Sequence, residues 1–191
     1  LSFLKLKIII KKEIVAWGLD EDDYDMNYVG KHLNAKDFNT LIKNKDTLLI
    51  DMRNNYESEI GKFETAICPK SKRSKDLIKE VKELLKNKKD KKIAMYCTGG
   101  IRCEKASSHL IKSGFKNVFQ LNGGIIEYAH QVKNENIKSK FIGKNFVFDD
   151  RLGERVTNDI IAKCHLCDNL SDTHTNCNND ACHILFIICD N

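Results

Sequence analysis

The chain has 191 residues, 41% of them hydrophobic and 31% charged, enough for one well-buried domain with a smaller unit attached. A net charge of +5 and a pI near 8.7 are compatible with a polyanionic partner without requiring one. No apolar stretch reaches bilayer length and Lys5 and Lys7 interrupt residues 1–10, which excludes a membrane span or a signal peptide there; eight cysteines without a secretory segment point to a reducing compartment.

In chain order, Leu4, Leu6, Ile8 and Ile10 alternate with Lys5 and Lys7, predicting a strand with one buried face. Because the chain opens on Leu1, this strand is expected to be the last element of a domain that precedes it, with residues 1–17 as the remnant. An acidic link over residues 20–25 leads to a short helix over 35–44. Asn34 is its N-cap, and Phe38, Leu41 and Ile42 share its apolar face. Residues 47–50 form a continuous apolar run ending at Asp51, the pattern of a strand buried on both sides of a parallel sheet. A helix over 74–86 follows, with Leu77, Ile78, Val81, Leu84 and Leu85 facing inward and lysines forming a solvated face. A second buried strand, 92–96, ends at Cys97, and a helix over 102–113 stops at Gly114. Residues 117–121 supply a third strand.

Strands alternating with helices predict an α/β domain with a parallel sheet flanked by helices, ending in a small cysteine-rich C-terminal unit. Residues 134–140 read as a polar linker, with a domain boundary near 137 that divides 18–137 from 138–191. Beyond it, residues 146–149 and 155–156 are expected as hairpin arms around Leu152-Gly153, and residues 184–188 as a strand that packs the tail.

In parallel sheets of this kind, ligands bind beyond the carboxyl ends of strands, where Cys97 lies. It is followed by Thr98, Gly99, Gly100, Ile101 and Arg102, immediately before a helix. The glycines let successive N–H groups turn inward as an anion nest, and the helix N-terminus adds partial positive charge. Arg102 can brace the loop carbonyls or meet an anionic substrate. Each feature favours a thiolate at Cys97.

Asp51 and Arg53 follow the buried strand over residues 47–50 and lie near the same sheet edge as Cys97; either they shape the pocket or they pair with each other. Glu57 and Glu59 read as surface carboxylates. Cys103 is expected to pack under the first helical turn, with a resolving-thiol role as the alternative. Glu104, Lys105 and His109 read as helix-surface residues.

The loop Cys97-Thr-Gly-Gly-Ile-Arg-Cys-Glu-Lys-Ala-Ser107 resembles the rhodanese superfamily, and more narrowly its tRNA uridine-34 hydroxylase branch. The likeness extends to Asp51-Met-Arg-Asn-Asn-Tyr-Glu57, Asn122-Gly-Gly-Ile-Ile-Glu-Tyr128, Gly143-Lys-Asn-Phe-Val-Phe-Asp149 and Asp172-Thr-His-Thr-Asn-Cys177. The resemblance implies a rhodanese fold with Cys97 as the active-site residue, able to carry a persulfide, and an oxygen-dependent 5-hydroxylation of the wobble uridine of tRNA. It also implies a tRNA partner, an additional N-terminal domain and a cytoplasmic setting, or an organelle containing tRNA. It leaves the sulfur donor or reductant unidentified. Two rivals share the cradle: a sulfurtransferase working through a Cys97 persulfide, and a non-catalytic interaction module, against which the presence of both Cys97 and Arg102 argues.

The tail carries Cys164-x2-Cys167, Cys177, Cys182 and Cys189 with His165, His174 and His183. This spacing suggests a structural zinc held by Cys164, Cys167, Cys177 and Cys182, with free thiols or disulfides as the alternatives.

Overall fold

The computed structural model describes residues 8–10, 13, 15–71, 73–179, 181–182 and 184–190. In chain order the elements are β1 (Lys31–Leu33), α1 (Ala35–Ile42), β2 (Thr47–Asp51), α2 (Asn55–Glu59), β3 (Gly61–Phe63), α3 (Ser74–Leu84), β4 (Lys92–Tyr96), α4 (Ile101–Lys112), β5 (Asn117–Leu121), α5 (Gly124–Asn134), β6 (Phe141–Asn145), β7 (Glu154–Arg155), β8 (His174–Asn176) and β9 (Leu185–Ile187).

A four-stranded sheet runs β1-β5-β4-β2, parallel throughout, as the buried apolar runs predict. Successive residues of each strand feed two cores. Ile50, Ile93 and Met95 join Leu77, Val81 and Leu110 on one face; Leu49, Ala94 and Tyr96 join Phe38, Ile125 and Tyr128 on the other. Helices α3 and α4 thus cover one side of the sheet and α1 and α5 the opposite side. Asn34 caps α1 as expected, accepting a hydrogen bond from the Asp37 amide at 2.8 Å.

Phe63 gathers the second core. Its ring meets Phe38, Tyr96, Tyr128 and Phe141 edge-on at centroid distances of 4.7–5.5 Å. Phe141 belongs to β6, which pairs antiparallel with β3, so the sheet β3-β6-β7 joins the stretch after residue 137 to the body before it.

The expected strand at the start falls mostly on residues outside those described; its described part, Ile8 to Ile10, is exposed and in no strand. Trp17 is buried instead, its indole N–H donating to Ser74 Oγ at 3.2 Å. The hairpin arms are also displaced: the pair is β6 with β7, ending at Asn145 rather than starting at 146. Phe146 and Val147 are buried beyond the end of β6.

The tail's thiols gather differently from the expected set. Among the described residues, Cys164, Cys167 and Cys189 bring their sulfurs within 4.8 Å of one another, and Cys177 and Cys182 are not part of that group. The reason is the hairpin of β8 and β9: Cys177 sits just past β8, its amide donating to Ile184 O, and Cys182 sits in the connecting turn, whereas Cys189 follows β9 back toward Cys164. His165 is drawn to Glu59 and His174 packs edge-on against Phe146, while His183 lies outside the described residues.

Candidate active site, the Cys97 cradle

Cys97 stands at the end of β4 and is 2% exposed. The chain reverses over Thr98 and Gly99, reaching Gly100 at φ +94°, a left-handed conformation that glycine adopts without strain. That turn aims the Gly100 amide at the Cys97 sulfur, 3.1 Å away, and α4 starts at the next residue. Gly99 is exposed at the tip and faces open space, which marks the mouth of the cradle.

A second glycine pair closes the cradle from behind. The Ile125 and Ile126 amides donate to the Cys97 and Thr98 carbonyls at 3.0 and 3.2 Å. Gly124, at φ +65°, lies so close that a Cβ there would stand 2.6 Å from both carbonyl oxygens and 2.8 Å from the Gly100 amide nitrogen. The Asn122-Gly-Gly stretch enters the site through this backbone contact, which sequence pattern alone does not reveal.

Glu57 holds the loop from the other side. It is wholly buried, contrary to the surface placement expected from sequence. Its carboxylate receives both Arg102 Nη atoms, at 2.7 and 2.8 Å, together with the Thr98 hydroxyl at 3.2 Å and the Asn54 amide at 2.9 Å. Burial pushes this carboxyl upward, but hydrogen bonds and charge from Arg102, with Arg53 behind, hold it below the ordinary carboxylate range. Arg102 therefore braces the cradle through Glu57.

Asp51 and Arg53 are both fully buried and pair with each other, at 2.9 and 2.7 Å, so they do not line the pocket. Their contribution is positional. Arg53 also donates to the Glu57 carbonyl at 3.3 Å and the Gly61 carbonyl at 2.7 Å, tying down the C-terminal half of the short helix that presents the Glu57 carboxylate and the strand start after it. Tyr96 adds its hydroxyl to Asp51 at 2.7 Å.

Cys103 is buried, as expected, and its thiol sits beside the Cys97 sulfur. That contact, the Arg102 charge and the amides of Arg102 and Cys103 outweigh burial and bring Cys97 down from an ordinary thiol value to about 6. Cys103 moves well upward, through its own burial and its bond to Cys97, and remains the protonated donor. His109 and Lys105 are buried rather than on the surface. His109 Nδ1 meets the Asp23 carbonyl at 2.7 Å, and Lys105 pairs with Glu13 at 3.0 Å.

A thiolate held near pH 6 predicts a rate profile. With iodoacetamide under single-hit conditions, Cys97 alkylation should rise to half its maximum at about pH 6 and be about nine-tenths maximal at pH 7. Cys103→Ala should move the midpoint toward the ordinary thiol range. A wild-type midpoint between about 8 and 9 would show that the cradle does not activate Cys97.

Comparison with known proteins agrees with this geometry. A model described as "Rhodanese-like domain" matches residues 34–131, half of the chain and all of the cradle. The chain belongs to the rhodanese-like domain family. A second model, "Rhodanase C-terminal", matches residues 142–191, so both stretches have counterparts. A curated relative from Yersinia enterocolitica named "tRNA uridine(34) hydroxylase" is 52% identical over 98% of this chain and 54% of its own length. One of the same name from Leptospira interrogans is 53% identical over 98% and 51%. The chain thus spans about half the length of the curated relatives it matches. A solved rhodanese-related protein from Thermoplasma volcanium aligns over 53% of this chain and 92% of its own, at 27% identity and a TM-score of 0.43. Among the described residues, no helix of this rhodanese chain is long and apolar enough to cross a membrane.

Proposed function

We propose that this chain is the rhodanese-bearing part of an enzyme that hydroxylates the wobble uridine of tRNA at carbon 5, with Cys97 as the reacting side chain. The observation that carries the reading is the identity of 50–53% along 98% of the chain to curated relatives named for that activity. The cradle supplies the reacting cysteine, with a thiolate at neutral pH, a backbone N–H aimed at it and an open mouth at Gly99, while dioxygen is the oxidant this reading requires. A Cys97 thiolate attacking the terminal sulfur of a persulfide donor would release the donor thiolate and leave Cys97 persulfidated. The same N–H then faces the added sulfur.

The rim is suited to a nucleobase. Phe148 and Ile101 are exposed apolar side chains beside the Glu57-bound Arg102, whose guanidinium lies 6.0 Å from the Phe148 ring centroid, and an unstacked base can rest on the open face of Phe148. The net charge of +5 favours a phosphate backbone. This reading places the protein in the cytoplasm or in an organelle with tRNA, and assigns tRNA gripping partly to segments beyond this chain.

The test is mass spectrometry of tRNA from cells lacking the full-length protein, complemented with wild type or with Cys97→Ala. Loss of 5-hydroxyuridine derivatives, restored by wild type alone, is expected. Unchanged tRNA, together with thiosulfate turnover that depends on Cys97, would replace the hydroxylase reading with a sulfurtransferase.

A further inference from the structure

We propose that Cys164, Cys167 and Cys189 are three ligands of a structural zinc ion that fastens the C-terminal unit. Their sulfurs lie within 4.8 Å of one another, with Cys167 and Cys189 at 3.4 Å. Tetrahedral zinc with Zn–S bonds of about 2.3 Å separates its sulfurs by about 3.8 Å, whereas a disulfide would need about 2.05 Å. The trio is therefore at ligand spacing and well outside bonding distance.

The backbone around it is that of a metal knuckle. The segment that carries Cys164 and Cys167 folds back on itself, the Cys164 amide donating to the Asn169 carbonyl at 2.7 Å. The turn closes through Asp168 N to Cys164 O at 3.0 Å, with Asp168 at φ +62°.

Cys189 is delivered from β9 by three ties: His165 N to Ile187 O at 2.9 Å, Ile188 N to Thr173 O at 3.1 Å and Ser171 Oγ to Ile188 O at 2.6 Å. Soft thiolates in a small tetrahedral arrangement select zinc over hard cations. Among the described residues the trio supplies three of the four positions of a tetrahedral site, with Cys164 buried and Cys167 exposed.

The apolar cluster that seats this unit is small: Phe146, Ala162 and Ile187, with Leu152 and Leu185 at the margin, packed on Ile60 and Tyr56 of the body. A core this small needs a staple. Zinc between the knuckle and β9 would supply one, and His165, between two ligands, reaches Glu59 on α2 at 2.9 Å.

Plasma emission analysis of the 191-residue chain, purified under reducing conditions, should find about one zinc per chain. Replacement by cobalt(II) should produce tetrahedral d–d bands and intense thiolate-to-cobalt charge transfer. Cys164→Ser, Cys167→Ser and Cys189→Ser should each lose the metal or at least a third of the charge-transfer intensity, and Cys177→Ser and Cys182→Ser should retain both. Should the trio variants fail to fold, zinc content and the cobalt spectrum of the two retained variants still decide. Absence of zinc with all eight thiols titratable, a Cys167–Cys189 disulfide in the non-reduced protein, iron in place of zinc, or loss of metal on changing Cys177 or Cys182 would each overturn the assignment.

Discussion

Gly124→Ala is expected to lower the melting temperature by roughly 5–15 °C and to abolish the fast alkylation of Cys97. Gly124 sits at φ +65°, which costs an L-residue about 1–2 kcal/mol. Its new Cβ would also face the Cys97 and Thr98 carbonyls at 2.6 Å and the Gly100 amide nitrogen at 2.8 Å. These contacts are with backbone, which cannot swing aside as a side chain can, so overpacking adds about 1–3 kcal/mol. Relief requires the 97–100 loop to move away, and the inward aim of the Gly100 amide is lost with it. Gly99→Ala is the matched control. Its Cβ meets nothing within 4 Å, and both melting temperature and alkylation should stay near wild type. Differential scanning calorimetry with the iodoacetamide assay reads both variants. A Gly124→Ala protein that melts and reacts like wild type would show that the second glycine pair does not support the first.

Glu57→Ala should destabilise the protein by about 3–5 kcal/mol in urea titrations, because it leaves the Arg102 guanidinium, whose side chain is 14% exposed, without its carboxylate. An exposed pair such as Lys116 with Asp90 should cost less than about 1 kcal/mol when broken. Combining Glu57→Ala with Arg102→Met removes the stranded charge and should recover a large part of the loss. Failure of the double variant to improve on the single one would mean that Glu57 matters through its hydrogen bonds to Thr98 and Asn54 instead. The pH dependence has a definite sign. Glu57 is held below its ordinary value of 4.5, so the stabilisation is fully present above that value and fades as acid carries the pH down through the lowered one.

The cradle was legible because its chemistry is local. Strand, cysteine, glycine pair, arginine and helix succeed one another between Ile93 and Lys112, and each has one common backbone solution. Strands β2, β4 and β5 were legible for a similar reason, since buried parallel strands are unbroken apolar runs. Glu57 was not, because nothing in a short polar helix announces burial; its environment comes from Arg102 and Thr98, more than forty positions away. His109 misled in the same manner. The α4 face that carries Ser107, Ser108 and His109 reads as polar, yet the segment from Asp23 to Gly30 covers it, its backbone bonding those three side chains at 2.6–2.8 Å. Asp51 and Arg53 do lie at the end of the expected strand, but both are fully buried and their charges are taken up by each other. In the tail, spacing alone could not tell Cys189 from Cys177 and Cys182, because the β8–β9 reversal that decides the matter depends on a hairpin register.

The pairing of β3 with β6 bears on how such chains can be recombined. The two family models that match this sequence stop at residue 131 and resume at 142, as if the halves were separable cassettes. Phe141 lies in that gap, fully buried against Phe63, and among the described residues β6 is the strand hydrogen-bonded to β3. A crossover between 131 and 142 that exchanged the second half would hand Phe63 a foreign strand, and with it a foreign partner for the turn that follows Glu57. Inheritance of the two halves is therefore coupled through one edge of three residues, and chains recombined between 131 and 142 should fold poorly.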